Sequence, residues 1–287
     1  MYTNEYKLKE FICEIGRRVY NRGFAAANDG NISIRLNDRE LLCTPTMVSK
    51  GYMKPEDICK VDYDGKQISG IRKRSSEILL HLSVYRERPD VNGVVHCHPP
   101  HATAFAVAHE PIPKAILPEV EVFLGEVPTA VYETPGGQKF ADTIKPYLKD
   151  CNTILLANHG TITFGPDLEK AYFNTEIIDS YCRILLLARQ LGRVHYFSEK
   201  ETAELLELKK KLGYDDVRFN NKSCTLRGEN CFNENYGKFN PEHVAFPLEE
   251  QDAWSKPQAG VSQNVDVDAL VKKITDQVMA ALKGSAA

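Results

Sequence analysis

The chain has 287 residues, of which 43% are hydrophobic and 26% charged, a composition that excludes a disordered protein. Its 36 basic and 39 acidic residues give a formal net charge of −3, which provides no broad positive field for nucleic acid or an anionic membrane. No signal-peptide pattern and no apolar run of roughly 20 residues is seen. With eight scattered cysteines that lack CxxC spacing, we expect reduced thiols and a cytoplasmic protein that binds neither nucleic acid nor membrane.

The first quarter of the chain predicts a helix, several short strands and a second helix. Apolar residues recur at helical spacing over residues 5–22. The segments NISIRL, ELLCT and ICKVDYDGK then read as strands separated by turn residues. Ser75 or Ser76 is expected to cap a helix that runs towards Arg88.

Two further β-branched segments end in histidine. They read NGVVHCH at 92–98 and TILLANHG at 153–160, and both predict strands. Residues 166–192 then predict a long helix with a broad apolar face, and residues 198–213 predict another.

The composition changes after these helices. From about Asn220 to Asn264 the chain is rich in Asn, Glu, Gly and Pro and shows no sustained period. Residues 265–287 again carry apolar side chains at helical spacing and predict an amphipathic helix. We therefore predict a main domain over 1–216, an extension or linker over 217–264, and a targeting or docking helix over 265–287.

The histidines at the strand ends are candidate metal ligands. His96 and His98 are two residues apart on a predicted strand, so both imidazoles point to the same face. His159 ends another strand, and three neutral imidazoles with an open position are typical of catalytic zinc. Spacing alone leaves an ordinary hydrogen-bonding role open. Asn158 and Gly160 around the third histidine predict a tight turn.

Glu77 follows two serines at the start of a predicted helix. A carboxylate in this position either stabilises the helix dipole or moves a proton beside a bound metal ion. Ser75 and Ser76, together with free backbone N–H groups, could bind an anion. Further donors could come from three residues that are also typical of ordinary turns and loops: Gly30, Asn31 and Thr46.

Five motifs in this order resemble the class II aldolase/adducin family. They are GNIS at 30–33, TPT at 44–46, SSE at 75–77, HCH at 96–98 and NHG at 158–160, and the resemblance covers about residues 5–216. It implies an α/β/α fold around a mostly antiparallel central sheet, with 1–216 as the catalytic domain. It also implies a homotetramer with active sites between subunits.

The resemblance assigns roles to these residues. His96, His98 and His159 match the ligands of one Zn²⁺ per subunit, and Glu77 matches the catalytic acid/base. The positions that match the binding site for the substrate phosphate are Gly30, Asn31, Thr46, Ser75 and Ser76. His101, just after the paired histidines, is a candidate substrate contact or a helix cap.

The activity that the resemblance implies is the cleavage of a small phosphorylated sugar. We expect a deoxy-ketose 1-phosphate, L-fuculose or L-rhamnulose 1-phosphate, to give dihydroxyacetone phosphate and lactaldehyde through a metal-stabilised enediolate. A ribulose-phosphate 4-epimerase and a methylthioribulose-phosphate dehydratase would use the same metal site. A non-catalytic scaffold like the adducin head is a third possibility.

Two positions depart from the family pattern. Met47 follows TPT where fuculose-phosphate aldolase has glycine, which predicts a different shape for the phosphate loop. That aldolase also uses a tyrosine from the neighbouring subunit, whereas this chain reads KAILPEVEVFLGE in the corresponding stretch. Glu119 or Glu121 is a candidate to replace that acid, and a plain subunit contact is the alternative.

His81, four residues after Glu77, is expected to be structural and to orient the carboxylate.

Residues 265–287 lie outside the aldolase pattern and resemble the encapsulation peptides that carry enzymes into bacterial microcompartments. This resemblance implies a shell-protein partner and a location inside a microcompartment. An amphipathic helix on a polar linker needs some partner to cover its apolar face. Docking onto its own tetramer and a coiled-coil contact are the alternatives.

Overall fold

The computed structural model describes residues 4–220, which belong to the first of the two units into which the chain divides, Met1–Ala245. The predicted helix at 265–287 and nearly all of the predicted linker lie outside these residues. The strands are β1 (Asn31–Arg35), β2 (Glu40–Cys43), β3 (Cys59–Asp62), β4 (Gln67–Ser69), β5 (Gly93–Cys97), β6 (Thr129–Ala130), β7 (Thr153–Leu156) and β8 (Gly160–Gly165). The helices are α1 (Glu5–Asn21), α2 (Ile78–Glu87), α3 (Pro100–Ala108), α4 (Gln138–Asp142), α5 (Leu168–Gln190), α6 (Glu199–Lys211) and α7 (Val217–Asn220).

The eight strands form one sheet in the order β4-β3-β2-β1-β5-β8-β7-β6. Every neighbouring pair is antiparallel except β6 and β7, which are parallel. The prediction of an α/β fold with a mostly antiparallel sheet is therefore confirmed.

Helices cover both faces of the sheet. Core residues of α2 and α4 pack on one face, and those of α1, α3 and α5 pack on the other. The period of two along β1 explains the division, because Ile32 and Ile34 lie in the core under α1 while Asn31 and Ser33 contact α2. This is the predicted α/β/α arrangement.

Most predicted helices begin and end close to the predicted residues. Ser198 and Glu201 form the capping box expected before α6, and Asp167 accepts a hydrogen bond from the backbone of Lys170 at the start of α5. Among the described residues no helix is both long and apolar enough to span a bilayer. The six cysteines described within 4–220 are buried and free, as expected.

The predicted serine cap of α2 is wrong. The helix begins at Ile78 and its N-cap residue is Glu77, so both serines precede it. Ser75 donates its backbone N–H to Thr44 O at 3.1 Å, which holds this segment in an extended pairing with the TPT loop. The Ser75 hydroxyl instead accepts a hydrogen bond from the backbone N–H of Glu77 at 3.2 Å.

Candidate metal centre

Three histidine rings meet where β5 ends beside the turn between β7 and β8. His96 lies in β5, His98 follows that strand directly, and His159 lies in the turn. Cys97 pairs with Thr161 across the two strands, which places His98 against Gly160 and so beside the turn that holds His159. The ring centroids lie 4.8–5.2 Å apart, and one nitrogen from each ring lies within 4.8 Å of the others. The structure thus brings the three predicted ligands together.

Two glycines permit this close approach of backbone and rings. A Cβ atom on Gly160 would lie 2.5 Å from Cδ2 of His98, and one on Gly30 would lie 2.9 Å from the carbonyl oxygen of His96. Gly30 also has a φ of +77°, which favours glycine. The predicted tight turn is present too, since Asn158 adopts a φ of +54°. Side chains at either glycine would push the histidines apart.

The hydrogen bonds of the rings leave three nitrogens for a ligand. Nδ1 of His96 lies 2.8 Å from the carbonyl oxygen of Thr161, so it carries the proton of the neutral ring and leaves Nε2 free to coordinate. Within the described residues, Nε2 of His96 and Nε2 of His98 are buried and have no hydrogen-bond partner, and Nε2 of His159 lies on the side of its ring that faces Glu77. Buried polar atoms without partners are costly, and a divalent cation bound by imidazole nitrogens removes that cost. The residues present therefore fit a metal ion.

Glu77 lies against the same rings. Its Oε2 atom is 3.2 Å from Nε2 of His96, and its Oε1 atom is 3.7 Å from Nε2 of His159. Burial opposes the charge of Glu77, but the electrostatic attraction of His96 and the hydrogen bond from Asn31 lower its pKa well below the ordinary value. Glu77 is therefore a carboxylate that can accept a proton.

The electrostatics of the three rings differ. Burial lowers the pKa of His98 to about 4 and that of His159 to about 3, so both rings are neutral at physiological pH. Burial acts in the same direction on His96, but the neighbouring Glu77 carboxylate outweighs it and raises the pKa of that ring. Neutral imidazole is the form that binds a metal ion, so a proton and the ion compete for His96.

The predicted phosphate motifs form one cluster next to Glu77. Thr46 donates its backbone N–H to the carbonyl oxygen of Lys73 at 2.9 Å, which places the TPT loop beside the two serines. Ser75 is buried, whereas the side chain of Ser76 is exposed to solvent. The structure therefore brings Thr46, Ser75 and Ser76 together beside the carboxylate.

Asn31 was expected near the phosphate, and the structure places its amide against Glu77. Its Nδ2 atom donates to Oε2 of Glu77 at 2.7 Å. Gly30, the residue before it, packs against the backbone of His96 as described above. Asn31 and Gly30 thus connect the first loop to the acid/base and to the histidines.

The sequence analysis missed two charged residues at this site. Oδ2 of Asp29 lies 3.4 Å from Nδ1 of His98. Lys50 is buried and donates from Nζ to the carbonyl oxygens of Asn28 at 2.9 Å and Val48 at 2.7 Å, which ties two loops of the site together. Burial lowers the pKa of Lys50 to about 8. Asp29 could have been found from its place directly before Gly30, whereas nothing in the sequence marks a buried lysine.

His101 and the two glutamates occupy other surroundings. Nδ1 of His101 lies 3.0 Å from Oδ2 of Asp179, and Oδ1 of Asp179 accepts a hydrogen bond from the His101 backbone N–H, which caps α3. Glu119 is exposed just before a π-helical turn at Val120–Leu124. Glu121 is buried and lies 2.8 Å from Arg218. Within residues 4–220, we find no hydrogen bond or ion pair between these three residues and the histidine rings.

Comparison with protein families gives a match over most of the described chain. Residues 10–186 match the model of the class II aldolase and adducin N-terminal domain, which is more than half of the chain. The matched range contains all five motifs, the three histidines and Glu77.

Some of the individual relatives are named as aldolases and others as decarboxylases. An L-fuculose phosphate aldolase from Methanococcus maripaludis is 33% identical over 184 residues, which cover 64% of this chain and 98% of that protein. A 3-oxo-tetronate 4-phosphate decarboxylase from Escherichia coli is 32% identical over 205 residues, 70% of this chain and 96% of that protein. The crystal structure of YgbL from Escherichia coli, described as an aldolase, epimerase or decarboxylase, superposes with a TM-score of 0.66 at 32% identity, covering 70% of this chain and 98% of that one. The chain therefore belongs to the class II aldolase and adducin family and is a metal-dependent lyase.

Proposed function

We propose that this lyase is a zinc-dependent aldolase that cleaves L-fuculose or L-rhamnulose 1-phosphate to dihydroxyacetone phosphate and lactaldehyde. The observation that carries the proposal is a partly buried carboxylate, Glu77, in contact with histidines whose nitrogens fit a metal ion. Three neutral imidazoles with an open coordination position are typical of catalytic zinc.

The chain's own residues account for binding and proton transfer. When bound, the cation supplies positive charge that stabilises the negative charge developing on the substrate oxygens. In the condensation direction, the Glu77 carboxylate takes a proton from the carbon next to the carbonyl group of dihydroxyacetone phosphate. In the cleavage direction, the substrate hydroxyl group loses its proton as the carbon–carbon bond breaks, with Glu119 as the proposed acceptor in place of the tyrosine, and Glu77 returns a proton to the carbon. Thr46, Ser75, Ser76 and Gly30, beside the carboxylate and the histidines, hold the phosphate group.

A second candidate is the decarboxylation of 3-oxo-tetronate 4-phosphate. It is supported by the 32% identity to a decarboxylase of that specificity and by the lack of a tyrosine in the stretch KAILPEVEVFLGE. Loss of carbon dioxide from this acid also leaves a negative charge beside a ketone, and protonation by Glu77 again gives dihydroxyacetone phosphate. No proton has to leave a substrate hydroxyl group, so the missing tyrosine would not be needed.

Both reactions give dihydroxyacetone phosphate, so one assay that identifies the second product separates the candidates. The metal-free protein is reconstituted with Zn²⁺ and incubated with both ketose 1-phosphates, the oxo acid, ribulose 5-phosphate and methylthioribulose 1-phosphate. Lactaldehyde with dihydroxyacetone phosphate supports the aldolase, and carbon dioxide with dihydroxyacetone phosphate supports the decarboxylase. An epimer or a dehydrated product would support the other family activities instead. Full activity in the chelated, metal-free protein would exclude all of them.

The acid/base role has its own test. Replacing Glu77 with Gln removes the proton acceptor, and general acid/base groups typically contribute about 10²–10⁴-fold to the rate. We expect a loss of kcat in that range. Glu87→Gln, an exposed glutamate at the end of the same helix, is the matched control and should keep wild-type activity. An active E77Q variant would exclude Glu77 as the acid/base.

We further propose that the enzyme is a homotetramer acting in fucose or rhamnose degradation, and that residues 265–287 bind a microcompartment shell protein. The amphipathic spacing of that segment supports the second part. Deleting the chain from Val265 onward should leave catalysis and the tetramer, measured by light scattering, intact. Co-purification with shell protein should be lost. Loss of activity on truncation would instead assign the segment to the tetramer.

A further inference from the structure

A row of buried polar side chains leads from Glu77 into the layer between β1 and α2. Asn31 and Ser33 lie two residues apart on one face of β1, which separates them by roughly 6.7 Å. Glu77, His81 and Tyr85 lie four residues apart at the start of α2 and along it, a rise of about 6 Å per step. Because the two spacings nearly match, the strand side chains fit between those of the helix.

Hydrogen bonds join these five side chains into one chain. Asn31 Nδ2 lies 2.7 Å from Oε2 of Glu77, and Asn31 Oδ1 is in contact with Nε2 of His81. The Ser33 hydroxyl lies 2.6 Å from Nδ1 of His81 and 2.9 Å from the hydroxyl of Tyr85. Asn31, Ser33, His81 and Tyr85 are all at most 6% exposed, so bulk water does not compete for these contacts.

The carboxylate at one end fixes the direction of every bond. Glu77 only accepts, so Asn31 turns its NH₂ group towards Glu77 and its oxygen towards His81. The amide oxygen also only accepts, so His81 carries its proton on Nε2. His81 Nδ1 then accepts from Ser33, and Ser33 accepts from Tyr85. All four donors therefore point towards Glu77, an arrangement in which each bond strengthens the next.

We propose that His81 is a positioning residue: as the Nε2–H tautomer it holds the Asn31 amide in the orientation that directs Oε2 of Glu77. This inference rests on the proposed function of Glu77 as acid/base and extends it to residues that do not touch the substrate. If Asn31 rotated by 180°, its oxygen would face the carboxylate and two acceptors would repel each other. The N–H of His81 prevents that rotation.

The surroundings keep His81 and Tyr85 in the protonation states that these hydrogen bonds require. Burial lowers the pKa of His81 to about 3, so the ring is neutral. Burial raises the pKa of Tyr85, so its hydroxyl remains a donor. The guanidinium of Arg35 lies over the Tyr85 ring at 5.0 Å and donates to the backbone carbonyl of the same residue, which fixes that end of the chain. Because Asn31 cannot relay a proton, this row of hydrogen bonds orients Glu77 and does not deliver protons to it.

Neutron diffraction from deuterated crystals of the metal-loaded enzyme tests the tautomer directly. We expect deuterium on Nε2 of His81, none on Nδ1, and the ND₂ group of Asn31 facing Glu77. Deuterium on Nδ1, or the reversed amide, would overturn the inference. This result does not depend on turnover, so it stands apart from a failure of the proposed lyase activity.

Kinetics of three His81 and Ser33 variants test the positioning role. The amide nitrogen of Gln reaches the position of Nε2, so His81→Gln should stay within about tenfold of wild-type kcat, whereas His81→Leu should lose roughly 10–100-fold, as is typical when a supporting hydrogen-bond partner is removed. KM should change little in both variants because the phosphate cluster is intact. Ser33→Ala should lie between them.

Ser83→Ala is the matched control, since Ser83 is another buried serine, on α2, that lies outside this chain of hydrogen bonds. It should keep wild-type kcat. Equal losses in His81→Gln and His81→Leu, with both variants folded by circular dichroism, would overturn the positioning role. An inactive wild-type enzyme would instead count against the proposed function, and the neutron result would still decide the present inference.

Discussion

Two buried clusters of charged and polar side chains contrast within the described part of the chain. In the ionic cluster, Arg218 lies 2.8 Å from both Glu121 and Asp216, and Lys209 lies 2.8 Å from Asp216. Each charge therefore has an opposite charge as its neighbour. In the histidine cluster, by contrast, three imidazoles crowd together, and a single carboxylate, Glu77, lies beside two of them, while Nε2 of His98 is buried without a hydrogen-bond partner.

The difference separates a structural role from a ligand-binding role. Buried polar groups in folded proteins are almost always paired, so a group of unpaired ones in one place indicates that a ligand completes the site. The paired charges of the ionic cluster instead fasten the segment after α6 to the π-helical turn at Val120–Leu124. Arg218 lies beyond residue 216, where the main domain was expected to end, and that boundary stays a prediction.

The largest expected effect comes from removing a histidine nitrogen. His98→Ala leaves two ring ligands, and bound metal supplies several kcal/mol to catalysis, so we expect activity to fall by roughly a thousandfold or more. Metal content, measured by mass spectrometry after dialysis, should fall with it. The free energy of unfolding of the metal-free protein should change by only about 1 kcal/mol, because no hydrogen-bonded partner of Nε2 is lost.

His195→Ala is the control for this variant because His195 is exposed and lies outside the cluster. It should retain both metal and activity. A His98→Ala protein that still binds one equivalent of zinc would show that the three nitrogens are not a ligand set, and the contrast between the two clusters would then be wrong.

The ionic cluster should respond in the opposite way. Arg218→Met leaves the Glu121 and Asp216 carboxylates without their guanidinium, and breaking a buried ion pair typically costs about 3–5 kcal/mol. We expect the free energy of unfolding in urea to fall by that amount, while metal content per folded protein is unchanged. Arg193→Met, at an exposed arginine, should have no effect on either quantity.

A double variant sharpens this test. Adding Glu121→Gln to Arg218→Met removes one of the stranded charges, so part of the lost stability should return. If the single Arg218 variant is as stable as the wild type, then the paired charges do not hold the segment and the structural role is refuted.

The strands, the long helices and the histidine cluster could be predicted from the sequence. The strand period places His96 on one face of β5, and an Asn–His–Gly turn predicts the close approach at His159. The motifs around Glu77 were predicted to meet only because they resemble those of a known family. Their spacing along the chain carries no information about contact across the sheet.

Other features of the structure could not be predicted from the local sequence. The residues of α3 read PHATAFAVA, which is apolar on nearly every side, so no helical period distinguishes it from a strand or a loop. The start of α2 was predicted wrongly because the extended pairing of Ser75 with Thr44 involves the loop after β2, which is distant in sequence. Lys50 and the Arg218–Glu121 pair are buried charges, and sequence composition places such residues at the surface.

A pH titration compares His81, in the polar row beside the histidine cluster, with the ionic cluster. His81 has a pKa of about 3 in the fold against 6.5 for the ordinary residue, so the unfolded chain binds more protons between these values and stability falls as the pH falls below 6.5. One proton over 1.5 pH units corresponds to about 2 kcal/mol lost between pH 6.5 and 5. The pKa of Asp216 is lowered from 3.8, because the ion pairs outweigh its burial, so the ionic cluster loses stability only in stronger acid.

Urea unfolding of the metal-free protein from pH 8 to 5 measures this dependence. His81→Gln, which cannot titrate, should show a loss that is smaller by about 2 kcal/mol over the same range. The raised pKa of His96 acts in the opposite direction in both proteins and therefore cancels in the comparison. Identical slopes would mean that His81 is not held neutral in the fold.

The smallest expected effect concerns strain in the loop beside the histidine cluster. Met47 has a φ of +57° and is 76% exposed, so it holds a left-handed backbone conformation and buries little in return. This conformation costs a non-glycine residue roughly 1–2 kcal/mol, whereas glycine adopts it freely. Glycine also gives the unfolded chain more conformational entropy, which lowers the free energy of unfolding by about 0.5–1 kcal/mol. Met47→Gly should therefore raise the free energy of unfolding by at most about 1 kcal/mol. Met47→Ala keeps the strain and should show no gain, and a stabilisation in both variants would mean that the side chain of Met47, and not its backbone, destabilises this loop.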